Sequence, residues 1–266
     1  MPVFAVVAVL LVAPPIGEMA PEALDGYLAG LNERAPEFAG RIAEVAERGL
    51  GTPYKADPLG EGPGGAVDTD PLMDLSHVDC VTFVEQTIAL AACDSYRAAF
   101  ETLQTIRYRT EEVAFENRNH FMAADWVKNN TFCREVTAGL DTPTKTDTRT
   151  IGRRHFFELK ELPDNARQAV DETLELTYVP VDAVGQAEPH LPSAALILLI
   201  GKIDWLFTLH CGLYIRDETG QGRFYHASSK AGEVVAVGLA EYLRDSTRYI
   251  GFAAYEIAQP SKRKQE

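Results

Sequence analysis

The 266-residue chain has the composition of an ordinary globular protein, with 46% hydrophobic and 24% charged residues. Its formal net charge is −14, and no cluster of Lys and Arg precedes residues 262–264 at the end. This charge argues against nucleic-acid binding and against adhesion to anionic membranes through a basic face. The four cysteines lack CxxC spacing, so we expect neither a disulfide scaffold nor a structural metal site.

An apolar run, residues 3–13, opens the chain. It has the length of the hydrophobic part of a signal peptide and is too short to span a bilayer. We therefore predict an export signal within residues 1–20, and hence a periplasmic or extracellular protein with no membrane span in its mature form. No basic residues precede the run, and Pro14-Pro15 spoils the nearest cleavage site. A buried N-terminal strand and a mis-assigned start codon remain the alternatives.

Helical periodicity dominates the first half of the chain. Helices are predicted over residues 21–32, 36–48, 80–92 and 95–107, with a short one through 123–127. The segment 55–72 is rich in Gly, Pro and Asp, which predicts a long irregular loop that leads towards Cys80.

Strand patterns dominate the second half. Strands are predicted over residues 131–136, 156–159, 174–181, 195–200, 209–215, 223–227, 234–237 and 249–257, with a loop over 140–149 and a short helix over 239–244. Helices followed by antiparallel strands indicate an α+β fold, in which a helical layer packs on a sheet or partial barrel. We expect one domain over residues 21–259 and a disordered tail over 260–266.

Cys80 follows Asp79 and opens an apolar helical run. Asp is a preferred N-cap, so Cys80 is expected in the first helical turn. Free backbone N–H groups and the helix dipole favour a thiolate there, and they also suit an oxyanion. A small buried core residue is the alternative interpretation. Cys93, Cys133 and Cys211 are predicted to be core residues.

A cysteine nucleophile needs an imidazole base and a third group that orients the base. His210 begins one predicted strand and His226 lies in the next, with the turn 217–222 between them. A hairpin would place the two histidines side by side. The combination favours a catalytic cysteine more than either histidine does alone.

Six segments together resemble the successive motifs of the N-acetylmuramoyl-L-alanine amidase-like family, part of the NlpC-type papain-like superfamily of bacterial cell-wall hydrolases. They are Leu50-Gly51-Thr52-Pro53-Tyr54, residues 79–85, Ile106-Arg107-Tyr108-Arg109, residues 117–121 with Asp125-Trp126, His210-Cys211-Gly212-Leu213, and His226-Ala227-Ser228-Ser229. The resemblance covers residues 40–257 and implies a papain-like fold. By motif it assigns Cys80 as nucleophile, His210 as general base and His226 as the residue that orients the base.

The resemblance implies hydrolysis of the amide between N-acetylmuramic acid and L-alanine, in peptidoglycan or its fragments, without a cofactor. The residues expected to bind substrate are Tyr54, Asp79, Arg107, Asn117, Arg118, His120 and Ser228. Arg118 could instead pair with Asp125 or Glu116, and Trp126 could belong to the core. The alternative functions are a D-γ-glutamyl-diamino acid endopeptidase, an acyltransferase, and a catalytically silent glycan- or peptide-binding module.

Overall fold

A computed structural model describes residues 14–110, 112–160, 170–217 and 219–261. The predicted apolar signal segment, residues 3–13, and residues 262–266 of the predicted tail lie outside these ranges. No helix within the ranges is long and apolar enough to cross a bilayer. Ile16, which precedes the predicted domain start, packs in the main core.

The α-helices are α1 (Pro21–Ala29), α2 (Leu31–Arg34), α3 (Phe38–Arg48), α4 (Cys80–Ala92), α5 (Tyr96–Arg107), α6 (Val127–Asn129), α7 (Arg153–Leu159), α8 (Val184–Ala187) and α9 (Leu239–Arg244). Short 3₁₀ segments lie at Ile16–Glu18, Phe115–Asn117, Thr137–Gly139, Val181–Ala183 and Glu188–His190, and a π-helical turn at Met122–Trp126. The predicted helices of the first half are therefore present.

The strands are β1 (Cys133–Glu135), β2 (Lys145–Ile151), β3 (Glu172–Pro180), β4 (Ala195–Gly201), β5 (Thr208–Arg216), β6 (Gly222–Ser228), β7 (Glu233–Val237) and β8 (Tyr249–Ile257). Within the described ranges they form one eight-stranded sheet, ordered β2-β3-β8-β4-β5-β6-β7, with β1 also paired to β8. All these pairings are antiparallel. The predicted α+β class is confirmed.

Alternate residues of the central strands pack on opposite faces of the sheet. Leu196 and Leu198 belong to the larger core, which also contains the apolar residues of α3, α4 and α5. Ile197 and Leu199 belong to the second core, with residues of α8 and α9. Helix α4 is buried on nearly all sides, so its first turn is held rigidly against the sheet.

Two local predictions are wrong. The predicted loop 140–149 contains most of β2, because Thr146 and Thr150 of β2 face threonines of β3 across the ladder, as in the Thr146–Thr177 pair at 3.2 Å. The predicted strand 156–159 is the end of helix α7. Its consecutive aromatic rings pack around Phe121 rather than on two faces of a sheet. Both errors lie in a polar ribbon and a short helix at one side of the fold.

Candidate active site

The first turn of α4 is fixed by Asp79. The carboxylate of Asp79 accepts hydrogen bonds from the backbone N–H groups of Val81 (3.1 Å) and Thr82 (2.8 Å), and the Thr82 hydroxyl accepts from the Asp79 N–H. These bonds form a complete capping box, in agreement with the prediction that Asp79 is the N-cap. Cys80 is the first helical residue, and no hydrogen bond of the described chain uses its backbone N–H. That N–H is free to bind an oxyanion.

The two predicted histidines meet across the hairpin. Strands β5 and β6 pair from Leu213 with Tyr225 to Arg216 with Gly222. The same register continued by one residue places His226 opposite Gly212, two residues after His210. Nε2 of His210 and Nδ1 of His226 are 2.8 Å apart. His226 is 1% exposed, and burial lowers its pKa to about 3, so this ring is neutral. Since Nε2 of His210 is engaged, its Nδ1 is the atom available to Cys80.

The pKa of the Cys80 thiol is held well below its usual value. The largest cause is a hydrogen bond from the Cys211 thiol; the His210 ring and the backbone N–H of Cys211 act in the same direction, and burial opposes them. The Cys211 thiol has a raised pKa beside the Cys80 charge, so it stays protonated and can donate. The Cys211 thiol also lies within donating distance of the Cys80 carbonyl oxygen, at 3.3 Å, so its single proton serves either that oxygen or the Cys80 sulfur. These contacts favour a Cys80 thiolate at neutral pH.

A pocket of about 270 Å³ is lined by Asp79 and Val81, the chain neighbours of Cys80; Cys80 and His210 are not among its lining residues. Its walls come from the 57–68 loop, the first turns of α4, the 115–120 segment and α7. Its lining residues are Asp57, Leu59, Asp68, Asp79, Val81, Thr82, Glu85, Arg107, Phe115, Arg118, Asn119, His120, Phe156, Phe157 and Lys160.

Arg107 and Arg118 line this pocket and also tie its walls together. Arg107 is 2% exposed and donates to the carbonyl oxygens of Leu59 (3.0 Å) and Gly60 (3.1 Å). Arg118 donates to the carboxylates of Glu61 (3.2 Å) and Asp68 (2.9 Å), rather than to Asp125 or Glu116. Most of their donors are therefore used within the protein.

His120 offers the pocket a defined acceptor. One ring nitrogen, Nε2, lies 2.8 Å from the Phe115 carbonyl oxygen, so it must carry the proton. Burial, with the charge of Arg118, lowers the His120 pKa to about 3. The neutral ring therefore presents Nδ1 as a hydrogen-bond acceptor.

The remaining predicted substrate residues are placed differently. The Tyr54 backbone bridges to Val78, and burial together with the nearby Cys80 charge raises the pKa of its hydroxyl, so Tyr54 lies close to the nucleophile. The side-chain amide of Asn117 donates to the Glu112 carbonyl at 3.3 Å. Ser228 accepts from the Ala231 N–H at 3.1 Å in a turn. Asn117 and Ser228 are not among the residues that line the pocket beside Asp79 and Val81.

The structure agrees in part with the prediction that the other cysteines are core residues, and it places Trp126 in the core. Cys133 is buried, Cys93 is partly buried beside the Thr102 hydroxyl (3.2 Å), and Trp126 is fully buried with its indole N–H on Glu85. Cys211 is buried as predicted, but it also contacts Cys80, and the sequence analysis missed this contact.

The pocket also uses residues that the sequence analysis did not select. Lys160 at the end of α7 forms an ion pair with Asp57 across the pocket entrance. These residues are far apart in sequence, and nothing in either segment signals the contact. Glu85 is different: a carboxyl group within an apolar helical run is a signal, and it accepts from Trp126 at 2.9 Å and faces Arg107 at 3.5 Å.

A family model described as N-acetylmuramoyl-L-alanine amidase-like (AmiA-like) matches residues 44–251, which is most of the chain and includes Cys80, His210 and His226. The chain belongs to this family. No curated protein matches the sequence.

Solved structures share the fold. A Legionella pneumophila protein of the DUF1460 family model is 22% identical, with a TM-score of 0.80, over 93% of this chain and 97% of its own. An N-acetylmuramoyl-L-alanine amidase from Bacteroides uniformis is 23% identical, with a TM-score of 0.66, over 81% of this chain and 98% of its own. A candidate xylanase from Bacteroides fragilis is 27% identical, with a TM-score of 0.63, over 80% of this chain and 99% of its own.

Metal ligands do not cluster in the described ranges: no group of three or more His, Cys, Asp or Glu side chains is placed to hold an ion.

Proposed function

We propose that this amidase-like family member is a cysteine-dependent hydrolase of the amide between N-acetylmuramic acid and L-alanine, with the papain-like arrangement of the NlpC type. The observation that carries the proposal is the contact of Cys80, at a capped helix start, with His210, whose other ring nitrogen meets His226 at 2.8 Å. A nucleophile, a base and an orienting group are the parts that covalent amide hydrolysis needs.

The first half-reaction forms a thioester. The Cys80 thiolate attacks the lactyl carbonyl carbon, and the negative charge moves to the carbonyl oxygen, which the free Cys80 N–H would bind. The C–N bond then breaks, and the protonated His210 gives its Nδ1 proton to the leaving L-alanine nitrogen. The peptide leaves with a free amino group.

The second half-reaction consumes water. Neutral His210 takes a proton from a water molecule, whose oxygen attacks the thioester carbonyl. The C–S bond breaks, and the products are the lactyl carboxylic acid of the sugar and the Cys80 thiolate with protonated His210. His226 stays neutral throughout and accepts the His210 Nε2–H bond, which keeps Nδ1 directed at the reacting atoms.

The pocket beside Asp79 and Val81, which we call the muramoyl pocket, supports the assignment of the sugar side. It combines aromatic walls with polar side chains, a combination that suits a sugar bearing hydroxyl and acetamido groups. The Nδ1 acceptor of His120 could bind an acetamido N–H. The Arg118 side chain forms ion pairs with Glu61 and Asp68, so removal of this side chain would also leave those two acidic groups without their cationic partner.

Digestion of a muramoyl tetrapeptide beside the same sugar-free tetrapeptide tests the proposal. Mass spectrometry should show release of the intact stem peptide from the muramoyl substrate and no cleavage of the free peptide. Cleavage of the free peptide between D-glutamate and the diamino acid would refute the amidase assignment and support the endopeptidase. No cleavage of either substrate would favour the silent binding module.

His120→Ala provides the matched test of the pocket. We expect it to impair turnover of the muramoyl substrate, with Asn117→Ala as the control, because Asn117 is a neighbouring polar residue outside the pocket lining. Equal activity of the two variants would place the sugar elsewhere.

A further inference from the structure

A second recess of the molecule has mainly basic charged side chains in its lining. It has a volume of about 780 Å³ and lies between β2, β3, the β4–β5 connection, α9 and β8. Lys145, Lys202 and Arg244 line it, against the single carboxylate of Asp182. We call it the cationic groove. All four side chains are exposed, and none forms an ion pair with another described residue.

This local excess of positive charge stands out in a chain with a net charge of −14. Because Lys145, Lys202 and Arg244 form no ion pair with a described residue, they lack the stabilisation that acidic partners would provide. The muramoyl pocket differs, since acidic side chains outnumber its Lys and Arg side chains. Two recesses of different charge indicate ligand groups of different charge.

The sheet register places the cationic groove near His210. Strand β4 lies between β5 and β8; its Leu199 pairs with His210, and its Gly201 pairs with Tyr249, which lines the groove. Two strand spacings of about 4.8 Å separate His210 from β8. The ring of Tyr242 bridges this interval, 6.3 Å from the His210 ring and 6.1 Å from the Tyr249 ring.

The two halves of the proposed substrate also differ in charge. The muramoyl sugar of an amide-linked peptide is uncharged, whereas the peptide carries carboxylates on its D-glutamate and diamino acid residues. An extended chain covers about 3.3–3.6 Å per residue, so the second and third residues beyond the cut bond lie about 7–11 Å from it. That length matches the interval between His210 and β8.

We propose that the cationic groove is the subsite for the peptide half of the substrate, where Lys145, Lys202 and Arg244 bind its carboxylates. This inference rests on the proposed function. It assigns the two sides of Cys80: the neutral sugar in the muramoyl pocket and the anionic peptide towards β8 and α9.

Charge reversal at the groove tests the assignment. Lys202→Glu and Arg244→Glu change exposed side chains without ion pairs, so the fold should be unaffected. The two substrates are muramoyl-L-alanyl-γ-D-glutamyl-diaminopimelate and muramoyl-L-alanine methylamide, which has no peptide carboxylate. For the double variant we expect KM for the charged peptide to rise roughly tenfold or more, with kcat unchanged, from two lost charge contacts of up to about 1 kcal/mol each.

The methylamide should be cleaved by the double variant with wild-type kcat and KM. Arg97→Glu is the charge control for each single groove variant, because that side chain is 90% exposed on α5 and each of these substitutions changes the net charge by −2. Added salt should raise KM of the wild type for the charged peptide and change the double variant less.

Three results would overturn the inference: an unchanged KM for the charged peptide, an equal change for both substrates, or the same change in Arg97→Glu. Failure of the proposed function gives a different result, since the wild type would then leave the muramoyl-L-alanine bond of both substrates intact.

Discussion

Replacement of His226 separates the orienting role from a purely structural one. In the proposed mechanism the protonated His210 donates its Nε2–H to Nδ1 of His226, and these two atoms are 2.8 Å apart. A hydrogen bond from a charged donor contributes about 1.5–3 kcal/mol. At 1.36 kcal/mol per factor of ten, its loss in His226→Ala should lower kcat about 10- to 150-fold. We expect little change in KM, because the buried His226 ring cannot reach the substrate.

The conservative variants sharpen this test. His226→Asn and His226→Gln keep an amide oxygen that can accept from His210, so each should retain more activity than His226→Ala. The assay is the rate of stem-peptide release over a range of muramoyl-peptide concentrations and pH values. Circular dichroism melting identifies any variant that fails to fold, since His226 is 1% exposed and its removal leaves a cavity.

Wild-type activity in folded His226→Ala would show that another residue orients His210. Equal activity of His226→Ala and His226→Asn would show that the side chain only fills space. Either result contradicts the hydrogen-bond argument.

The other predictions concern the thiols and the helix cap. Cys80→Ala should lose activity by several orders of magnitude while keeping its fold, and iodoacetamide should label Cys80 of the native protein before the other cysteines; equal labelling of all four would contradict its lowered pKa. Because that pKa is lowered, the pH midpoint of Cys80 labelling should lie below that of an ordinary cysteine. Cys211→Ala should raise the pH midpoint of Cys80 labelling and Cys211→Ser should restore part of the shift; unchanged midpoints would show that the Cys211 thiol does not stabilise the thiolate. Asp79→Ala should cost about 1 kcal/mol and lower Tm by roughly 2–4 °C, and Asp79→Asn should cost less, as thermal unfolding would show.

The sequence predicted most helices and strands because their signals are local. Asp79 before an apolar run marks the start of α4, and the turn between two alternating segments marks the β5–β6 hairpin. The predictions failed in β2 and α7. The threonines of β2 are stabilised by a partner strand more than 20 residues away, and the rings of α7 by contacts with Phe121.

The candidate nucleophile, base and orienting residue were also predictable, because each carries its chemistry in its own side chain and lies in a recognisable local context. The contact between Cys211 and Cys80 was not, since the two residues are 131 positions apart and a cysteine after a histidine looks like any core residue. Long-range packing alone decides which neighbours a thiol has.

The sequence by itself determined the fold class, the capped start of α4 and the hairpin that joins His210 to His226. These depend on residue types at short, regular spacings, which local hydrogen bonding and hydrophobic periodicity control. Only the tertiary structure decided that Arg118 is held by Glu61 and Asp68, that α7 closes one side of the muramoyl pocket, and that one groove is lined by three cations without an ion-pair partner among the described residues. Those features bring together segments that are far apart in the sequence. No local sequence pattern predicts them, because they depend on how the sheet and the helices pack together.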